Sequence, residues 1–357
     1  MQKPATLGMP GTKTKFDEFQ VLHQRQAYYN HFVGSFLPFH RLMLHTHETS
    51  LREQCNYTGY QPYWKEERDA GKFSSSVVFD PTYGFGGSGS GPNSCITNGP
   101  FANYTNSAGP GYQVTSHCID RRISEAMSAL SSQSQVDACL KLADFSTAWP
   151  CIEGNPHSGG HAGVGGQMGN GVSSPGDPLF YLHHAWIDKM FWDWQKRDKA
   201  TRTTSITGTN IGRDYAPGFP PRPASIPKAT GAAGDPGTTT TLNHVLSMEG
   251  IAPNKTIADV MDIQGGFLCY EQPGIGSLLE WILLDCIGGK GPESDNEKQR
   301  ILHRFSDDTP SSGAQFYHFD TVDSESTVTQ PRSNQKQLSE RKLGKDIQIR
   351  NASLNMR

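Results

Sequence analysis

No stretch of this 357-residue chain stays apolar for the roughly 18 residues that a membrane-spanning helix needs. The most apolar run, Ile275 to Ile287, is shorter and contains Glu280 and Asp285. The start, Met1-Gln2-Lys3-Pro4, lacks the apolar core of a signal peptide. The seven cysteines, Cys55, Cys95, Cys118, Cys139, Cys151, Cys269 and Cys286, include no CxxC pair, which argues against a thiolate zinc site. Lysine and arginine form no stripe and the net charge is −3, so there is no electrostatic footprint for nucleic acid or an anionic membrane. Internal repeats are absent as well. Seven is an odd number, so at least one thiol is expected to stay free or to pair between chains. Sequons at Asn56, Asn103, Asn254 and Asn351, taken with the cysteines, lean toward an oxidising compartment.

The remaining pattern is helical segments separated by long irregular stretches. Phe16 to about Ala70 reads as helical from apolar positions recurring every three to four residues, with Pro62 closing the run. Residues 71–116 are rich in Gly, Ser, Asn and Pro and read as a long loop. Ile123 to Leu142 reads as a helix, Gly154 to Gly171 as a glycine-rich segment, and Pro178 to Lys196 as a strong helix. Gly208 to Gly237 has no periodicity, and Thr256 to Tyr270 is expected to pack back on the core. The division expected is a domain over 1–275 and a polar, poorly ordered tail over 276–357.

Thirteen histidines carry the chemical information. His157 and His161 are four apart, which on a helix places both imidazoles on one face. His183 and His184 lie downstream in an aromatic helical run, and one of them can complete a trio. His23, His31 and His40 form a second possible trio. Three neutral imidazoles without thiolate suit copper or zinc and leave a coordination position open, as a catalytic site requires. Ser158 follows His157, so the glutamate of an H-E-x-x-H zinc protease is missing.

These motifs resemble the tyrosinase and catechol oxidase family in its short fungal form. Phe36-Leu37-Pro38-Phe39-His40-Arg41, with His31 nine residues earlier and His23 eight before that, resembles the first copper signature. His157-x-x-x-His161, Gly165-Gly166-Gln167-Met168 and Asp177-Pro178-Leu179-Phe180-Tyr181-Leu182-His183-His184 with Asp188 resemble the second. The resemblance spans about residues 16–272. It implies a mainly α fold, a central four-helix bundle with long irregular loops, holding two copper ions. His23, His31 and His40 would hold copper A; His157, His161 and His184 would hold copper B, with His183 shaping the pocket. Asp188 would orient an imidazole or form a surface salt bridge. His45 and His47, outside the motif, are expected to be solvated, and Phe36, Phe39, Phe180 and Trp192 to pack the core.

The implied activity is O2-dependent oxidation of o-diphenols or o-aminophenols to o-quinones, with a small phenol and O2 as partners and secretion as the expected route. Glu153 stands where the family places a water-holding carboxylate, and Ser158 where tyrosinases carry an asparagine. Monophenol hydroxylation is therefore expected to be weak or absent. Alternative readings are a degenerate or truncated member that binds copper or O2 without turnover, and a mononuclear zinc hydrolase.

Some positions depart from the family. Only fifteen residues precede Phe16, Trp64-Lys65-Glu66 stands where Trp-Asp-Trp is usual, and the segment after Tyr270 matches no usual ending. Such departures are expected of an incomplete or mis-spliced gene model. Tyr29 occupies a position where many fungal members have cysteine, so no Cys–His thioether is expected there.

Overall fold

The computed structural model describes residues 2–271 apart from Tyr215 and Pro217. Those residues belong to one compact unit, Met1–Phe316. A second unit, Tyr317–Arg357, and the tail expected over 276–357 lie outside the described residues.

Helix α1 (Lys15–Asn30) opens on a capping box in which Thr14 and Asp17 satisfy each other's backbone amides. The helical run expected from Phe16 to Ala70 is in fact two helices. Residues 31–35 break it, and α2 runs Phe36–Cys55, ending at Asn56 in the left-handed conformation rather than at Pro62. The single helix expected over Ile123–Leu142 is also divided, into α3 (Glu125–Ser128), a 3₁₀ turn Ala129–Ser131 and α4 (Gln133–Leu140). Serines at 124, 128, 131 and 132 compete for backbone hydrogen bonds there, and Ser124 and Ser128 make such bonds.

The glycine-rich segment is the larger surprise. Helix α5 (Phe145–Ile152) runs into a π-helical turn, Glu153–His157, and then directly into α6 (Ser158–Val164). Its glycines serve close packing rather than a loop. A Cβ on Gly160 would stand 2.3 Å from His183 Nδ1 and one on Gly163 2.8 Å from Phe73. Packing therefore overrides the low helix propensity of glycine.

Helix α7 (Leu179–Lys196) is buried on nearly every face, as a central helix must be. Asp177 caps it by accepting from Leu179 N–H at 3.0 Å and is itself held by Arg121 at 2.7 and 2.9 Å. Short α8 (Lys199–Arg202) follows. The described residues from 208 to 237 form no helix, and α9 (Ile257–Val260) and the residues after it seat Ile257, Val260, Met261, Ile263 and Leu268 in the core, as expected. Two minimal antiparallel pairs, β1 (Thr105–Asn106) with β2 (His117–Cys118) and β3 (Val245–Leu246) with β4 (Lys255–Thr256), pin the loops. Disulfides Cys95–Cys118 and Cys139–Cys151 staple two more segments.

Helices α2 and α7 are joined inside the core by an ion pair. Arg41 Nε donates to Asp188 at 2.5 Å, and both side chains are almost fully buried. Arg41 Nη1 also donates to Gln195 and to the Val260 and Met261 carbonyls, each at 3.0 Å. Tyr270 donates to the other Asp188 oxygen at 2.5 Å. Asp188 is thus a buried partner of Arg41 and Tyr270 rather than a surface salt bridge. Removing one partner leaves an uncompensated buried charge. Asp188→Ala is expected to cost about 3–5 kcal/mol in urea unfolding. Loss of the exposed Arg25–Glu249 pair by Arg25→Gln should cost less than about 1 kcal/mol.

Candidate metal centre

All six expected ligand histidines converge. His23 lies on α1, His31 at its end, His40 on α2, His157 at the end of the π-helical turn, His161 on α6 and His184 on α7. His23, His31 and His40 bring one ring nitrogen each to within 4.8 Å of the others, and so do His157, His161, His183 and His184. The sets adjoin: the His40 and His184 rings stack at 4.2 Å with an interplanar angle of 13°.

The backbone fixes most of the tautomers. The Nδ1 of His23 faces Val172 O at 2.8 Å, His31 faces Ala27 O at 2.9 Å and His40 faces Phe36 O at 2.8 Å. His157 faces Glu153 O at 3.1 Å and His161 faces Met168 O at 2.7 Å. A carbonyl only accepts, so each of these Nδ1 atoms carries the proton and each Nε2 keeps a lone pair. His23 Nε2 and His40 Nε2 then confront each other at 3.3 Å with no proton between them. A shared cation satisfies that arrangement, since nitrogens bound about 2.0–2.1 Å from one tetrahedral ion lie about 3.3 Å apart. In the second set His161 Nε2 lies 3.2 Å from His184 Nε2, and His157 Nε2 is buried without a partner among the described residues. The donor set therefore fits two metal ions held by neutral imidazoles.

Desolvation keeps the rings neutral. Burial lowers His23 to about 4 and holds His31, His40, His157, His161 and His184 well below the ordinary imidazole value. His161 keeps part of its surface open to solvent, although both ring nitrogens are engaged inside. Phe36, expected only to pack the core, also stands 5.5 Å from His31, 4.8 Å from His40 and 4.7 Å from His157. Phe180 lies 5.2 Å from His23 and 4.2 Å from His184. Phe39 and Trp192 are buried in the core.

Glu153 is buried, and its Oε1 accepts the Phe32 N–H at 2.8 Å. Phe32 adopts φ 58, a left-handed conformation costly for a bulky residue. Burial pushes the Glu153 carboxyl up to about 8, against the opposing Phe32 amide and Arg213. Ser158 Oγ donates to the Glu153 backbone carbonyl at 3.0 Å rather than to its carboxylate. Phe219, half-exposed, stands 4.9 Å from His31 and 5.4 Å from Phe32 at the rim of the first set.

Two histidine expectations fail. His47 is buried, donates from Nδ1 to Gln61 at 3.0 Å and stacks on Tyr181 at 3.8 Å. His45 is half-buried against Phe267 at 5.0 Å. His47 is not solvated and His45 is only partly so, because apolar neighbours cover both helix positions. Tyr29 donates to Pro227 O at 2.8 Å. The residues missed from sequence are Glu66, Phe32 and Phe219. Only Glu66 left a trace, standing where the family usually has tryptophan. It is fully buried, 2.6 Å from His183 Nδ1. Desolvation pushes Glu66 up and His183 down to about 3, so the pair is a hydrogen bond between neutral groups unless positive charge enters the pocket.

The common central domain of tyrosinase matches residues 13–197. The chain belongs to the tyrosinase family. It is 33% identical to the tyrosinase-like protein phomQ1 of Diaporthe leptostromiformis, over 72% of this chain and 68% of that protein. It is 27% identical to the N-acetyl-6-hydroxytryptophan oxidase ivoB of Emericella nidulans, over 73% of this chain and 82% of that one. Among solved structures, a mutant polyphenol oxidase from Thermothelomyces thermophila matches with a TM-score of 0.60 at 26% identity, covering 75% and 81% of the two chains. Membership supports an oxidoreductase with a dinuclear copper centre and the mainly helical tyrosinase-like fold.

For this tyrosinase-family chain the sign of the pH dependence follows from the buried groups. Each lowered imidazole takes up a proton more readily unfolded, so its stabilisation is complete above about 6.5 and is lost as pH falls toward 4. Nine imidazoles (His23, His31, His40, His45, His47, His157, His161, His183 and His184) behave this way. The raised carboxyls of Glu48, Glu66, Asp120 and Glu153 act oppositely but number four. The metal-free chain is therefore expected to melt at steadily lower temperature from pH 6.5 down to 4; a flat calorimetric profile over that range contradicts the assignment.

Proposed function

We propose that the chain oxidises o-diphenols, or the related o-aminophenols, to o-quinones with O2. The observation that carries this reading is the pair of adjoining neutral imidazole sets, in which the backbone fixes the tautomer of five of the six proposed ligands and leaves their Nε2 atoms a lone pair. His23, His31 and His40 would hold one copper; His157, His161 and His184 would hold the other. When bound, two coppers supply the redox chemistry, taking two electrons from each diphenol and passing four to O2, so that two diphenols and one O2 give two quinones and two waters. The chain's residues position the ring and keep water out. Phe36 and Phe180 wall the imidazoles, Phe219 stands at the rim, and the partly exposed His161 marks an edge open to a flat phenol.

Glu153, in the form ionised above about pH 8, is the proposed proton acceptor for phenols, placed by Phe32 N–H. The Ser158 hydroxyl is turned to a backbone carbonyl, so it does not help orient a proton acceptor. That supports diphenol oxidation over monophenol hydroxylation. The name of the ivoB relative describes an oxidase of a hydroxylated indole amino acid, which supports an aromatic substrate already carrying a hydroxyl. Secretion is supported by the Cys95–Cys118 and Cys139–Cys151 disulfides and by exposed sequons at Asn56, Asn103 and Asn254. Among the described residues no helix is long and apolar enough to cross a membrane.

The test is oxygen uptake and quinone absorbance with 4-tert-butylcatechol. The copper-loaded chain is expected to turn over, the metal-free chain and His161→Asn are not. Two bound coppers without catechol consumption would support the degenerate reading instead. Glu153→Gln is expected to lower kcat/KM for catechol about 10²-fold. Ser158→Asn should raise the ratio of 4-tert-butylphenol to 4-tert-butylcatechol oxidation, and an unchanged ratio removes Ser158 from the account.

A further inference from the structure

Arg213 stands at the rim of the first imidazole set. It is exposed, and its guanidinium carbon lies 5.5 Å from the centre of the Phe32 ring. Phe32 follows His31 directly, and their rings are 6.5 Å apart. One aromatic ring therefore separates the guanidinium from a proposed copper ligand. Two close approaches hold the backbone on either side of it. A Cβ on Gly212 would stand 2.1 Å from Tyr28 O on α1, and one on Gly171 would stand 2.3 Å from the Phe219 ring. The Gly171 amide also donates to Gly218 O at 3.0 Å. The neighbouring acid is committed elsewhere. Asp214 pairs with Arg222 at 2.9 Å and with Lys228 at 3.0 Å, whereas Arg213 has no ion pair among the described residues. Its positive charge is felt across the rim by Glu153, where it opposes the upward push of burial on that carboxyl.

We propose that Arg213 is a specificity-determining residue that selects phenols carrying a carboxylate on a short side chain. The inference rests on the reading of the centre as a phenol oxidase. A diphenol whose hydroxyls reach the imidazoles presents the far side of its ring to this rim, where Phe32, Phe219 and Arg213 stand. A planar carboxylate matches the guanidinium fork through two parallel hydrogen bonds. Stacking over Phe32 restrains the guanidinium beforehand, so less freedom is lost when it binds. An ammonium in the same place is repelled. Because Arg213 is exposed, the preference is modest and weakens as salt screens it.

The test compares three catechols as substrates of the copper-loaded full chain: dihydrocaffeate, its neutral methyl ester and the cationic dopamine. Wild type is expected to show a KM for the acid about 5–10-fold below that for the ester, with dopamine higher still. Arg213→Gln should raise the KM of the acid to that of the ester while the ester's own KM stays within about twofold. Arg213→Lys should keep part of the preference, and Arg213→Glu should turn it toward dopamine. A second readout needs no turnover. In saturation-transfer NMR of the metal-free chain, hydrocinnamate should bind wild type more tightly than hydrocinnamamide does, and Arg213→Gln should bind both equally. Equal KM values for acid and ester in wild type, or a loss in Arg213→Gln that acid and ester share, overturns the proposal and leaves Arg213 as a cation that only steadies Phe32. If none of the three catechols is oxidised, the oxidase reading fails instead, and the NMR comparison decides whether Arg213 recognises a carboxylate.

Discussion

The site depends on one buried charge pair. Arg41 follows His40 on α2, and Asp188 lies one turn after His184 on α7. Joined at 2.5 Å in the core, they fix the register of the two helices, and the same register stacks the His40 and His184 rings at 4.2 Å. Two charges removed from water are costly unless every remaining group is matched. Gln195, the Val260 and Met261 carbonyls and Tyr270 do most of that matching, so the segment after residue 256 contributes to the centre without touching a ligand. A slip of either helix would separate the two metal sets and strand the arginine together.

Irregular backbone is concentrated where the chemistry is. The π-helical turn Glu153–His157 delivers both the buried carboxyl and the first imidazole of the second set. Opposite it, Phe32 takes a left-handed conformation directly after His31 and offers its amide to Glu153. Strain of this kind persists only where surroundings over-determine it. Here Glu153, Phe219 and the stacked imidazoles do so. The Nδ1-to-carbonyl bonds serve the same end, because they choose the tautomer before any metal arrives.

What the sequence made legible was spacing along single helices. The four-residue step from His157 to His161, the Asp177-Pro178 start of α7 and the aromatic density through Lys196 read directly into helices and ligands. What stayed illegible needed information from another segment. Gly159, Gly160 and Gly163 were legible only as composition because propensity is local, whereas the close approach of Ser131, His183 and Phe73 around them in α6 is not. His47 read as solvated because Tyr181, which covers it, lies far along the chain. The place of Asp188 was illegible because Arg41 could not be seen facing it. Glu66 was noticed only as a departure from a pattern; its meaning needed the position of His183.

The measurement that tests the central claim most directly is native mass spectrometry of the purified full chain titrated with copper. Two adjoining sets of neutral imidazoles predict uptake that stops at two ions per chain, with His40→Asn and His161→Asn each stopping at one. Uptake that stops at one in the wild-type chain, or is unaffected by either variant, would contradict the dinuclear centre.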